Sequence, residues 1–179
     1  MSAFSTPNFS LDLTGEVALV TGTTSGLGKR FAQVLAKCGA KVILTGRRVE
    51  KLEALAEEIR ADGGTCEPIP IDMTDRTSIR STLAKAEETF GTVTILINNA
   101  GIPDAQLITR MSDELIDNVF DTNQIGPWVL SSEFAKRLIA EKRPGRIVNI
   151  SSVAAFNTTA QSAAALYSTT KLGIARMTE

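Results

Sequence analysis

Tyr167 and Lys171 stand four residues apart, a spacing that on a helix puts both side chains on one face, one turn from each other. A free phenol titrates near pKa ~10, too high to exchange protons readily at neutral pH, and a neighbouring ammonium favours the phenolate. The pair could therefore serve as an acid and base. Alone it reads as a packed tyrosine beside a solvated lysine, so its weight depends on its company. The chain has no His, which excludes hydride chemistry built on a His general acid and makes another proton donor necessary. The same absence removes the commonest zinc or iron ligand, and Cys38 and Cys66 are too few and too far apart for a metal cluster or a disulfide framework. No metal site is expected.

A second group of informative residues is the run Thr21, Gly22, Thr23, Thr24, Ser25, Gly26, Leu27, Gly28, which lies between the apolar segment VALVT and an amphipathic stretch. A glycine-rich turn between a strand and a helix lets the backbone approach a pyrophosphate closely. The unsatisfied amides and partial positive charge of the helix start then attract the anion. The plainer alternative is a tight turn that only reverses the chain.

The elements that must position these residues follow from periodicity. Short runs rich in Val and Ile predict strands at 17–21, 41–45, 66–71, 93–97 and 146–150. Stretches such as Leu27 to Cys38 and Val49 to Ala61 carry apolar residues at the spacing of a helix face. Strands apolar on both faces belong in a parallel sheet covered by helices on each side, joined by right-handed crossovers. The expectation is an α/β fold: a doubly wound parallel sheet of the Rossmann type in a single domain over 1–179. The segment from Ser112 to Glu141 holds two helices, with Gly126 and Pro127 marking a bend or the start of a new helical stretch. Val153 to Leu166, small and polar, reads as a surface loop. RIVNI at 146–150 falls at a sheet edge, a place natural domains usually cover, and the 179 residues are expected to be a fragment or the ordered part of a longer protein.

Glycines spaced as Gly22, Gly26 and Gly28 resemble the turn of the short-chain dehydrogenase/reductase family. The resemblance continues in the family's order through Asn98, Asn99, Ala100 and Gly101, then Asn123, Ser151 with Ser152, and Tyr167 with Lys171. It implies a catalytic set of Asn123, Ser152, Tyr167 and Lys171. Spacing does not choose between Ser151 and Ser152; the second serine matches the family's position, where a hydroxyl at the carboxyl end of the sheet can donate to a carbonyl oxygen. Asn123 matches the residue that supports a water in a proton relay with the lysine, though by itself it reads as a helix cap or structural amide. Asn99, Ala100 and Gly101 match the turn beside the adenosine half of the cofactor. Asp72, with Met73, matches the adenine contact, while an aspartate there could equally cap the next helix. By the same resemblance, relatives continue past the tyrosine helix with two further strands, a loop at the nicotinamide and a substrate lid that this chain lacks.

An acidic side chain at the end of the second strand would accept from the ribose hydroxyls of NAD and repel the extra phosphate of NADP. Gly46 occupies that place, and Arg47 and Arg48 follow; a guanidinium can pair bidentately with a 2'-phosphate. NADP is favoured, with NAD as the alternative, since the two arginines also read as a solvated pair and Ser25 adds no basic residue to the turn. The cofactor-binding set is Gly22, Thr24, Ser25, Gly26, Leu27, Gly28, Arg47, Arg48, Asp72, Met73, Asn99, Ala100, Gly101, Tyr167 and Lys171. The implied reaction interconverts a small carbonyl compound and a secondary alcohol. LDLTGEVALVTG and GRR faintly resemble polyol and gluconate-type reductases. The competing reading is a dinucleotide-binding subunit or sensor without turnover, which would not need the complete catalytic set.

Basic residues number 19 and acidic ones 20, interspersed, so neither nucleic acid nor a membrane surface is indicated as a partner. The opening MSAFSTPNFSLDLTG lacks the charge and apolar core of a secretory signal. The expected location is cytoplasmic. Apolar faces from Trp128 to Ile139 and Leu166 to Met177 suggest a homo-oligomer, a dimer or tetramer, as such helices form in relatives.

Overall fold

The computed structural model describes residues 11–104, 106–157 and 163–179. Most of the opening stretch read above, and 158–162 of the surface loop, lie outside the described residues. Among the described residues there are five parallel strands, β1 Val17–Thr21, β2 Lys41–Gly46, β3 Thr65–Pro70, β4 Ile95–Asn98 and β5 Arg146–Asn149, in the order β3-β2-β1-β4-β5. The helices are α1 Gly26–Lys37, α2 Val49–Ala61, α3 Arg76–Phe90, α4 Asp113–Phe120, α5 Gly126–Glu141 and α6 Ala165–Thr178.

Strand alternation builds two cores. Val17, Leu19, Ile43 and Leu96 point to one face and meet Ile79 and Leu83 of α3 with Leu130 and Phe134 of α5. Ala18, Val20, Val42, Leu44 and Ile97 point to the other, against Ala32 and Ala36 of α1 and Leu52, Leu55 and Ile59 of α2. β1 is buried at every position, as a central parallel strand should be. β5 lies at the edge with β4 as its neighbour, and its Ile147 and Val148 are exposed. No helix among the described residues is long and apolar enough to cross a membrane.

Of the two readings of Gly126–Pro127, the structure has the start of a new helical stretch, α5, with the proline in its first turn. Phe120, Asp121, Ile125 and Gly126 all keep right-handed helical dihedrals, and a π-helical turn over Asp121–Ile125 joins α4 to α5. Pro127 gives the reason: it has no N–H to offer the Asn123 carbonyl and its ring would crowd that carbonyl. The ladder widens instead, with the Gly126 amide bonded to the Asp121 carbonyl five residues back. Glycine is required at 126 because a Cβ would sit 2.5 Å from the Met73 carbonyl oxygen.

Candidate active site

Strand order reverses between β1 and β4, and ligands in open α/β sheets bind beyond the carboxyl ends of the strands at such a point. There a cleft of about 700 Å³ runs past the ends of all five strands, from Gly22 and Gly46 through Asp72 and Gly101 to Ser152. Of the residues singled out in the sequence, Thr24, Ser25, Leu27, Arg47, Arg48, Met73, Asn99, Ala100, Tyr167 and Lys171 also line it. Gly26, Gly28 and Asn123 do not line it: Gly28 and Asn123 are buried and Gly26 is exposed.

At one end the turn after β1 is shaped by close approach. Gly22 has φ 74°, and a Cβ on it would meet the Ala100 Cα at 2.9 Å; one on Gly28 would fall 2.2 Å from the Gly22 carbonyl oxygen. Seating α1 this tightly leaves its first turn facing the cleft. Ser25, at the N-cap, makes no side-chain capping bond, and the first turn holds no acidic residue. Uncapped amides and an uncompensated helix dipole suit an anion, so this end fits a pyrophosphate. Arg48 donates to the hydroxyls of Thr24 and Ser25, which draws its guanidinium onto the turn.

Thr21 opens the glycine-rich run, but the sequence gives its side chain no task, because a threonine closing an apolar run looks like an ordinary β-branched strand residue. Its buried hydroxyl accepts from the amides of Asn99 and Ala100, each at 2.9 Å, while the Asn99 amide group donates to the carbonyls of Thr21 and Gly22. These bonds lock the turns after β1 and β4 together across the switch point. Asp72 does not cap α3. Its carboxylate accepts from the amide and hydroxyl of Thr74, and the cap is Asp75, which takes the Thr77 amide at 2.7 Å. The Thr74 amide, helped by Thr74's hydroxyl and by Arg47, holds the Asp72 carboxyl below the usual range against a smaller upward pull from burial.

At the other end, α6 brings Tyr167 and Lys171 to the cleft, with the Lys171 Nζ 5.7 Å from the centre of the Tyr167 ring. Lys171 is only 4% exposed, donates to the Ile150 carbonyl at 2.8 Å, and its pKa is lowered by burial. None of the ion pairs among the described residues includes it. The two serines after β5 differ in use. Ser151 donates to the Lys171 carbonyl at 2.8 Å, while Ser152 accepts from the Ala154 amide at 3.2 Å and spends no proton on that bond.

Asn123, fully buried in the π-helical turn, accepts from the Ile102 amide at 2.8 Å and donates to the Ile102 carbonyl at 2.9 Å. Its second amide proton goes to the Thr170 hydroxyl, which in turn donates to the Tyr167 carbonyl at 2.8 Å. The Asn123 side chain thus splices the loop after β4 to α6, and Pro127 leaves its main-chain carbonyl without the usual helical donor. Thr170 was also missed, since one more hydroxyl beside Ser168 and Thr169 carries no local signal.

The architecture is shared with solved structures. A putative gluconate dehydrogenase from Agrobacterium tumefaciens superposes with a TM-score of 0.87 at 33% identity over 94% of this chain and 65% of that one. A metagenomic short-chain oxidoreductase in complex with NADP gives 0.86 at 36% identity over 92% of this chain and 74% of that one. In sequence, the 3-oxoacyl-(acyl-carrier-protein) reductase FabG of Escherichia coli is 38% identical over 143 residues, 80% of this chain and 57% of the relative. Nodulation protein G of Rhizobium sp. strain N33 is 42% identical over 142 residues, 79% of this chain and 56% of that protein. The chain therefore spans somewhat more than half the length of these curated relatives. The family described as short chain dehydrogenase matches residues 16–179, and with the site's order and geometry this places the chain in the short-chain dehydrogenase/reductase family.

Proposed function

We propose that residues 1–179 carry the cofactor-binding and catalytic part of an NADP-dependent oxidoreductase that interconverts a small carbonyl compound and a secondary alcohol. One observation carries this reading: a single cleft has an uncapped helix start at one end and Tyr167, Lys171 and Ser152 at the other. The nicotinamide, when bound, supplies the hydride for reduction or accepts it for oxidation. Tyr167 gives its phenolic proton to the carbonyl oxygen in reduction and takes it back in reverse. Ser152 donates a hydrogen bond to that oxygen as negative charge develops on it. Lys171, steadied by the Ile150 carbonyl, holds the cofactor ribose beside the tyrosine. Asn123 keeps the loop and helix in register, and its main-chain carbonyl offers a mount for a relay water.

The turn from Gly22 to Gly28 holds the pyrophosphate, Arg47 and Arg48 the 2'-phosphate, Asp72 and Met73 the adenine, and Asn99 to Gly101 the adenosine side. NADP as the partner is supported by Gly46 in the place of an acidic residue, by the Arg48 contact with the turn, and by relatives solved with NADP and NADPH. Two free cysteines suit a cytoplasmic location. Trp128 and Ile139 of α5, 58% and 76% exposed, give an apolar surface on which copies would associate.

The test is a fluorescence titration of the full-length protein with NADPH and NADH, followed by a panel of carbonyl compounds that includes 3-oxoacyl thioesters and keto-sugar acids, read by oxidation of the reduced cofactor. NADPH should bind at least about tenfold tighter, or 1.4 kcal/mol. Tighter NADH binding by that margin overturns the cofactor choice, and turnover retained by Tyr167→Phe overturns the mechanism.

A further inference from the structure

We infer that Asp104 is a positioning residue for Tyr167, capping from a distant loop the helix on which the tyrosine stands; its value to catalysis rests on the function proposed above. α6 opens without a cap of its own. Ala164 occupies the N-cap position, no side chain there bonds an amide, and the first turn holds no acidic residue. The leading amides of a helix need partners from elsewhere. Asp104, only 6% exposed, provides them: one carboxylate oxygen accepts from the Leu166 amide at 3.3 Å and the other from the amide of Tyr167 itself at 2.9 Å. A carboxylate in this place also meets the positive end of the helix dipole.

Two facts separate this contact from routine capping. The backbone of the reacting residue is gripped on both sides, its amide by Asp104 and its carbonyl by the Thr170 hydroxyl. Asp104 also follows directly on Gly101, Ile102 and Pro103, which line the cleft, and Ile102 is held at both amide and carbonyl by Asn123. The cofactor side of the cleft and the tyrosine helix are thus joined through a four-residue loop whose last member is the cap. Releasing the cap leaves the sheet and the glycine turn as they are and loosens the first turn of α6. A displacement of about 1 Å at a reacting group can cost about 10²-fold in rate.

The experiment compares full-length wild type with Asp104→Ala and Asp104→Asn, using NADPH as the binding probe, amide hydrogen exchange over residues 163–171, and steady-state kinetics. For Asp104→Ala, the first-turn amides should exchange at least about tenfold faster and kcat should fall about 10- to 100-fold. KM and the NADPH Kd should stay within about threefold of wild type, because the binding end is untouched. Asn is as good a capping residue as Asp, so Asp104→Asn should keep exchange and kcat within about threefold. Unchanged exchange in the Ala variant, a loss confined to KM, or an Asn variant no better than Ala overturns the assignment.

If the Ala variant does not fold, the unmodified protein decides. Without NADPH, Leu166 and Tyr167 should exchange as slowly as interior helix amides while Leu27 and Gly28, at the uncapped start of α1, exchange freely. Equal rates at the two helix starts overturn the proposal. A Tyr167→Phe control keeps the two readings apart: turnover in that variant defeats the functional reading, while the exchange data still decide the cap.

Discussion

α1 and α6 both begin at the cleft, and neither caps itself with its own sequence. At α1 the leading amides are left open beside a turn whose glycines admit a close approach. At α6 the Asp104 carboxylate fills the corresponding place from a loop more than sixty residues earlier in the chain. On the proposed function, one kind of helix start serves two ends: an open one can take a ligand's charge, and a closed one holds the backbone of the proposed acid. The contrast predicts that perturbing the two starts separates binding from chemistry.

The largest effect is expected at the closed end. Tyr167→Phe should lower turnover by about 10²–10⁴-fold, the usual worth of a general acid, with the NADPH Kd unchanged in a titration. A parallel loss of NADPH binding would erase the division between the two ends. Next comes the open end. Gly28→Ala puts a methyl 2.2 Å from the Gly22 carbonyl oxygen, so the turn must shift. Overpacking of this kind costs about 1–3 kcal/mol of stability by urea denaturation, and NADPH binding should weaken at least as much.

Thr21→Val tests the seam between the two ends. It strips the amides of Asn99 and Ala100 of their acceptor, at about 1–3 kcal/mol for groups left unpaired. A chain of this length should lose about 2–4 °C in Tm per kcal/mol. A Tm change below one degree would mean that the turns hold together by other means.

The smallest expected effect concerns Lys171. Its pKa in the folded chain lies below the ordinary 10.5 because of burial, so the unfolded chain binds that proton more tightly. The penalty of burying the charge is fully present below the lowered pKa and fades as pH rises toward the ordinary value. Without cofactor, any Tm advantage of Lys171→Met over wild type should therefore shrink as pH rises toward 10.5, read as Tm across a pH series. A widening gap would reverse the sign of this assignment.

What could be read from the sequence was local. The glycine turn between a strand and a helix, the four-residue step from Tyr167 to Lys171, and the two-sided apolar strands each declare themselves within a short window. The structure gathers them around one cleft. The missing information lay in pairings across long separations: Thr21 with Asn99, 78 residues apart, and Asp104 with Tyr167, 63 apart. Such pairs become neighbours only once strand order is set, and neither a lone threonine nor a lone loop aspartate signals its partner. Asp72 shows a nearer limit, since two aspartates before α3 could each have capped it and only the fold assigns that task to Asp75. Gly126 and Pro127 were legible as the start of a helix, whereas the π-helical turn that carries the backbone into it, and so accommodates a proline costly to a regular α-ladder, was not.

That turn also works as a phase shifter. One extra residue in a helix rotates everything beyond it by about 100° relative to an unbroken α-helix. Ahead of the insertion α4 packs on α6, and beyond it α5 packs on α3, so one helical run keeps two appointments that a uniform pitch would not allow. Removing a single residue from 121–125 would turn one half's apolar side away from its neighbour by about that angle. The alignment of the tyrosine helix with the sheet is thus encoded in a count of residues as well as in their kinds.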